Sequence, residues 1–577
     1  VRRVWWFAAV LLFVAAGACS KCGSNTDANL ADVAEPPVPA PEALIADVYV
    51  STPNASWGRL QRGIGGAVGI LPPGVGGMVC TTCGIDFSFS DEIDGTAPAF
   101  AVVAGDPADP TWALALKLTD VRRARGALAG DDTSRFNAKE LGNGVTEMVP
   151  KQPPPPGTPP PTTVGLTKNG YLVVVKREPD LARLAPYVTR TLPSRPLPAG
   201  AIAVDVPRSA IDKILAPKLD AAWNDGKIFL LAQDARMRKA HGGRPPDYGD
   251  ADQIVAAIDA IIGRRLAIVH DLEKMRLSFE VGDQNVTIDA TLTPVAGGAT
   301  AAKWVGGMKT GDAKAVLALP QASAIAFTTR DNEDDRAAQA AELEKSVTQS
   351  LGTRISEADT KKLHDVVSDW TTARGETLGA SVVWDEPRSY FLRAAVKDGD
   401  AADRAVRAML DLARAPPFKE MLRTKDIAFA HEEAAPLGKV SVATITRMPR
   451  DGGAPPPRLS IDAGVPRANE PIAVAWTVEN EGVDVASGEE AKNALVTSAR
   501  PEKKLGEDPS VRAAVTPLGS TASTILVAQP LRFDPKRANL GVAPLVIGVG
   551  KKDSDAYVRI DVSDGLLREV SRFLMGI

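Results

Sequence analysis

The chain has 577 residues, of which 44% are hydrophobic and 24% charged, with a net charge of −4. That length allows about two to four domains, and the balance is that of a folded globular body rather than a disordered or fibrous one. Lys and Arg are interspersed with Asp and Glu, so nucleic-acid binding has no electrostatic footprint.

Arg2 and Arg3 open the chain, and an apolar run over 4–16 follows. It is too short for a membrane-spanning helix, which needs about 20 residues. Gly17 and Ala18 then precede Cys19. This order resembles a bacterial lipoprotein signal, with Ala16 where such signals usually carry Leu. An ordinary secretory signal is the alternative, and the small-small-Cys ending argues against it. The resemblance implies that residues 1–18 are removed and that Cys19 carries a diacylglycerol and an N-acyl chain such as palmitate. One acyl chain holds marginally, at about 0.8 kcal/mol per buried methylene, and three hold essentially permanently. Ser20, a non-Asp residue, points by analogy with enteric sorting to the outer membrane, facing the periplasm or the cell surface. Residues 19–42 are poor in large apolar side chains and read as a flexible tether.

Past the tether, residues 57–62 predict a helix, and Gly63, Gly65, Gly66 and Gly69 follow it. Their spacing misses the phosphate-binding glycine pattern and they do not follow a strand, so a turn is expected. Cys80 and Cys83 form a C-x-x-C. Gly84 follows at once and 85–89 looks extended or irregular, which is not the helix N-terminus that activates a redox cysteine. A closed zinc site needs four ligands, and no second C-x-x-C or close His pair exists. An oxidising envelope favours a Cys80–Cys83 disulfide pinning a loop, leaving Cys22 unpaired.

A β-hairpin followed by a helix then recurs six times. The hairpins are expected over 97–118, 164–175, 275–293, 380–396, 472–485 and 545–562. The helices start near Asp120, Pro179, Thr300, Asp400, Gly488 and Ser563. Met275, Leu277, Phe279 and Val281 alternate with Arg276, Ser278 and Glu280, the two-residue period of a strand with one buried face. Ala402, Ala405, Val406, Met409, Leu410 and Ala413 form one helical stripe. Longer helical regions fill 250–274 and 331–374, the latter broken near Gly352. Residues 150–161 carry eight prolines and read as an extended loop. The fold class is therefore α+β, with antiparallel hairpin-plus-helix units whose helices cover one face of the sheets.

The units also pair at larger scale. Tyr171–Lys176 runs into Glu178-Pro-Asp-Leu, as 483–487 runs into Glu489-Glu-Ala-Lys, and each helix leads to a further apolar strand, 201–206 or 524–528. Two related lobes are expected, 43–315 and 316–577. The arrangement resembles a large uncharacterised family of bacterial envelope proteins with duplicated α+β lobes, a resemblance that brings no catalytic residues.

Hydrolase and metalloprotease motifs are absent from the sequence, and His241, His270, His364 and His431 are far apart. Asp331-Asn-Glu-Asp-Asp335 with Glu342 approaches a calcium loop, but Arg336 stands where that loop needs glycine. Acidic residues opening a helix are the simpler reading. No metal, cofactor or catalytic residue is expected. Carboxylates paired from distant segments would leave no local trace. The expected function is a non-catalytic, lipid-anchored envelope protein that binds or scaffolds another envelope component. The alternatives are a periplasmic carrier of a lipid or other apolar ligand, and a thiol-disulfide protein using Cys80 and Cys83.

Overall fold

The computed structural model describes residues 35–64, 72, 74–132, 134–152, 162–240, 251–282, 285–385, 387–422, 424–434, 438–447, 471–479, 482–488, 490–534 and 543–575. Cys19, Cys22, His241, Gly65, Gly66, Gly69 and most of the proline run lie outside them. The chain divides into two compact units. The first runs to Pro217 and adds Leu272–Val295 and the segment from Val562. The second comprises Lys218–Asp271 and Ala296–Asp561.

Ten strands build the first unit: β1 (Leu44–Val50), β2 (Ala99–Ala104), β3 (Thr111–Lys117), β4 (Phe136–Gly142), β5 (Val145–Pro150), β6 (Thr163–Thr167), β7 (Tyr171–Val175), β8 (Ile202–Pro207), β9 (Leu272–Val281) and β10 (Asn285–Pro294). They pair antiparallel in the order β4-β5-β6-β7-β3-β2-β1-β8-β9-β10. β7 reads Tyr-Leu-Val-Val-Val because both of its faces are buried. Leu172 and Val174 join a core with Leu116, Val79 and Cys80. Val173 and Val175 join another with Leu181, Leu184 and Tyr187 from the helical segment that follows.

The second unit repeats this plan with β11 (Ser323–Arg330), β12 (Arg374–Val383), β13 (Ser389–Val396), β14 (Thr424–Ala434), β15 (Gly438–Arg447), β16 (Ile472–Glu479), β17 (Gly482–Gly488), β18 (Ala522–Ala528), β19 (Leu545–Lys552) and β20 (Asp555–Ser563). Their order is β14-β15-β16-β17-β13-β12-β11-β18-β19-β20. Each strand has its counterpart ten places earlier, so the two lobes share one topology. The helices match too. Val121–Ala129 follows β3 and is capped by Asp120, and Gly399–Leu412 follows β13 and is capped by Asp398. After β7 and β17 come the nine-residue helices Glu178–Pro186 and Ala491–Ala499.

All six expected hairpin-and-helix units are present, and β4–β5 and β14–β15 add two more hairpins. β14 pairs with β15 alone among the described strands, and side chains cover its backbone at Ile427. The Ile427 N–H donates to Asp426 Oδ1 at 2.9 Å, and its carbonyl accepts from Arg414 at 2.6 Å, so the backbone at that one position is not left open. The 331–374 region forms helices Glu333–Leu351 and Glu357–Ala373, with Gly352 at φ +53° between them. Asp331 is gripped by Arg336 at 2.9 Å and Arg374 at 2.7 Å, which fits the helix-opening reading of that acidic run. The helix expected over 250–274 stops at His270, and β9 begins at Leu272.

The cysteine segment departs most from expectation. Gly74–Cys83 is a helix, and Phe87–Glu92 forms a 3-10 turn rather than an extended loop. Glycine and β-branched residues are poor helix formers, but Val75, Val79 and Cys80 are buried together here. The glycines serve close packing. A Cβ on Gly76 would come within 2.6 Å of the Ser90 carbonyl, and one on Gly77 within 2.8 Å of the Phe87 ring.

Candidate functional site

Cys80 and Cys83 end their helix as free thiols, and the expected pairing between them is not formed in this structure. Cys80 points into the core and is fully buried. Cys83 accepts a contact from Thr162 Oγ1 at 3.5 Å. Burial pushes the Cys80 thiol up to about 12, with Cys83 and Asp86 adding to the effect. Burial raises Cys83 as well, against the Thr162 bond. Both environments favour the thiol over the thiolate, the opposite of an activated cysteine. His270 and His364 are exposed and face Asp220 at 3.0 Å and Glu344 at 2.9 Å. Among the described residues no three His, Cys, Asp or Glu side chains converge as a metal would require.

Two carboxylates from distant segments do meet. Asp47 on β1 lies opposite Asp205 on β8. Tyr187 and Arg195 hold Asp47, with Arg195 at 2.8 Å. Lys274 at 2.8 Å and Arg276 at 2.6 and 2.8 Å hold Asp205. Burial raises Asp47 above the usual carboxylate range, and the Arg195 and Tyr187 bonds only partly offset it. Burial also acts on Asp205, but the bonds from Arg276 and Lys274 outweigh it and hold that carboxyl below its usual range. All four oxygens are engaged, so neither group stands ready as a base. The pair is a charged staple across the sheet.

A cleft of about 580 Å³ opens in the second unit. It runs beside the Ala491–Ala499 helix, between the end of β12, the start of β13 and the stretches 320–322 and 501–503. Asn493, Ala494, Thr497 and Ser498 of that helix line the cleft, while Ala491, Leu495 and Ala499 pack into the core. The rest of the wall mixes Pro320, Pro387 and Pro501 with charged groups of both signs. Arg388 lies 4.6 Å from the centre of the Trp384 ring, and Arg532 holds Gln529 at 2.7 Å. No residue chosen from the sequence lines this cleft.

A smaller cleft of about 410 Å³ opens at the start of the Gly399–Leu412 helix. Its central carboxylate, Asp403, is already engaged by Trp476 Nε1 at 2.9 Å and Arg407 Nε at 2.8 Å. No described helix is long and apolar enough to cross a membrane.

No family model matches the chain, and no curated protein matches it. Solved structures of TP0453 do. Crystal form IV is 9% identical with a TM-score of 0.22, covering 47% of this chain and 98% of that one. Crystal form III is 9% identical with a TM-score of 0.21, covering 44% and 97%. At these scores the likeness carries no argument about activity or partners.

Proposed function

We propose that the chain is a non-catalytic, lipid-anchored protein of the bacterial cell envelope that binds another envelope component through the cleft beside the Ala491–Ala499 helix. The cleft carries the reading. It is roomy, its wall is stiffened by three prolines, and its polar groups are of the kind that orient a ligand. Its charged and amide side chains do not suit a lipid or other wholly apolar ligand. The envelope address rests on the run from Arg2 to Cys19, with Cys19 as the lipidated residue and the outer membrane as its home.

A photo-crosslinking amino acid placed at Thr497 in living cells tests this. A reproducible adduct with one envelope component is expected, absent when the same group is placed at exposed Lys168. Equal labelling from both positions would overturn the reading. Cys19→Ser should move the protein from the membrane to the soluble fraction, and continued membrane retention would remove the lipid anchor from the proposal.

A further inference from the structure

We infer that the cleft beside the Ala491–Ala499 helix takes a sugar, the hydroxyl-rich part of an envelope component. This rests on the cleft being the binding site proposed above and adds the chemistry of what it binds.

Two serines point to a group from outside the chain. Ser498 stands next to last in the helix and Ser389 opens β13, and both line the cleft. They are 3% and 9% exposed. Among the described residues neither hydroxyl has a hydrogen-bond partner. Buried polar side chains in folded proteins are nearly all bonded. Ser323, also buried, follows that rule and donates to the Pro320 carbonyl at 2.6 Å. The hydroxyls of Ser381 and Thr328 break it too, but they are sealed from solvent, whereas those of Ser389 and Ser498 lie on residues that border an opening. A hydroxyl that served packing alone would not need to face one.

The wall around the serines selects for a polyol. It carries Arg388, Lys503 and Arg532 against Asp385, Glu490 and Glu502, so it has no net charge with which to gather ions. What it has is donors and acceptors held in place. Arg388 lies 4.6 Å from the centre of the Trp384 ring, which meets Phe533 edge-on. Gln529 holds Arg532 Nε at 2.7 Å, with Arg532 Nη1 3.6 Å from Asp385. A sugar hydroxyl both donates and accepts, so it can bond to the cations, the carboxylates and the serines alike. A phosphate dianion would be repelled by three carboxylates. An apolar chain would strip these groups of water and return no bonds. Pro320, Pro387 and Pro501 offer rigid apolar surface to the C–H face of a sugar ring. The cleft volume of about 580 Å³ falls within the span of small-molecule sites, about 300–1,000 Å³.

Saturation-transfer-difference NMR tests this, with the full chain and free glucose, galactose, mannose, N-acetylglucosamine and glucuronic acid. At least one neutral sugar should give a saturable signal. Ser389→Ala and Ser498→Ala should each weaken it by about threefold to tenfold, the share of one hydrogen bond. Neither hydroxyl is bonded within the fold, so both variants should keep the wild-type thermal midpoint, which separates lost binding from lost folding. No saturable signal from any sugar at about 10 mM would overturn the inference. So would an affinity unchanged in both variants, or a signal from glucuronic acid alone, which would mark a carboxylate site. Displacement of the sugar by inorganic phosphate or by zwitterionic tri-alanine at equal concentration would also overturn it, and needs no variant. If the Thr497 cross-link captures a partner while every sugar fails, the cleft stands as a site and the sugar chemistry falls. If a sugar binds while that cross-link captures nothing, the sugar site stands and the envelope partner falls.

Discussion

Asp205 shows how far one side chain is committed to the fold. Its carboxylate ties β8 to β9 through Arg276, its direct cross-strand partner, and through Lys274. Removing the charge in Asp205→Asn leaves two cations facing a neutral amide. Breaking a fully buried pair costs about 3–5 kcal/mol. Here the side chains of Arg276 and Lys274 keep 36% and 40% of their surface in water, and screening lowers the expected loss to about 2–3 kcal/mol. Urea unfolding at pH 7 measures it. The pH dependence has a definite sign. Asp205 is held below its usual range in the folded state, so the unfolded chain takes up the proton first as pH falls. The stabilisation is complete above about pH 4 and is lost as pH drops through the depressed native value. The gap between wild type and Asp205→Asn should close in that window, and a gap that stays constant to pH 3 would refute the assignment. Cys80 gives a second measurement. With its thiol near 12 and its side chain buried, iodoacetamide at pH 7 should modify it at least about a hundredfold more slowly than an unperturbed peptide cysteine. Peptide mapping by mass spectrometry separates it from Cys22, and rapid native labelling would restore the thiol-disulfide reading.

At the scale of elements, legibility tracked how much of each strand or helix is decided by its own burial pattern. The β9–β10 hairpin alternates in its residue types although most of its residues are half-buried, and Met275 does pair with Leu292 and Leu277 with Ala290. The β4 strand escaped because it is an edge. Phe136 is its one fully buried residue, so no apolar period marks it. The Gly74–Cys83 helix escaped for the opposite reason, since tertiary packing selects glycines that local propensity disfavours. The lining of the cleft was illegible because Asn493 and Thr497 read as ordinary exposed helix residues. Two glycine substitutions separate packing from propensity. Gly76→Ala would force a Cβ to within 2.6 Å of a backbone carbonyl and should cost about 1–3 kcal/mol by overpacking. Gly126→Ala, inside the Val121–Ala129 helix, meets nothing within 4 Å and should stabilise by about 0.5–1 kcal/mol. Thermal unfolding of both variants checks the pair, and equal effects would show that the close approach at Gly76 is not what the glycine serves.

At the scale of the molecule, docking of residues 35–38 would, under the proposed lipid anchor at Cys19, shorten what the intervening chain can reach. If the first fixed residue were Leu44, 25 residue steps would separate it from the anchor, at most about 90 Å of extended chain. With Glu35 held by Arg190 and Val38 by Thr191, 16 steps remain, at most about 58 Å. If Cys19 carries the proposed lipid, two contacts on one loop set how far the first lobe can stand from a bilayer. They are also contacts of modest strength, because a partly exposed ion pair contributes about 1 kcal/mol or less and the hydroxyl bonds to Val38 about 1 kcal/mol each. The docked and released states therefore lie close enough in free energy for one substitution to shift them. Thr191→Ala removes the hydroxyl that both accepts from and donates to Val38. Amide hydrogen exchange reads the outcome, with Val38, Ala40 and Glu42 as reporters because the prolines between them carry no N–H. Exchange at Val38 should accelerate by roughly tenfold, the kinetic equivalent of about 1.4 kcal/mol of lost protection, while β1 and β8 remain protected. Unchanged exchange at Val38 would mean that the Thr191 hydroxyl is not what holds the segment, and the shorter reach would no longer follow.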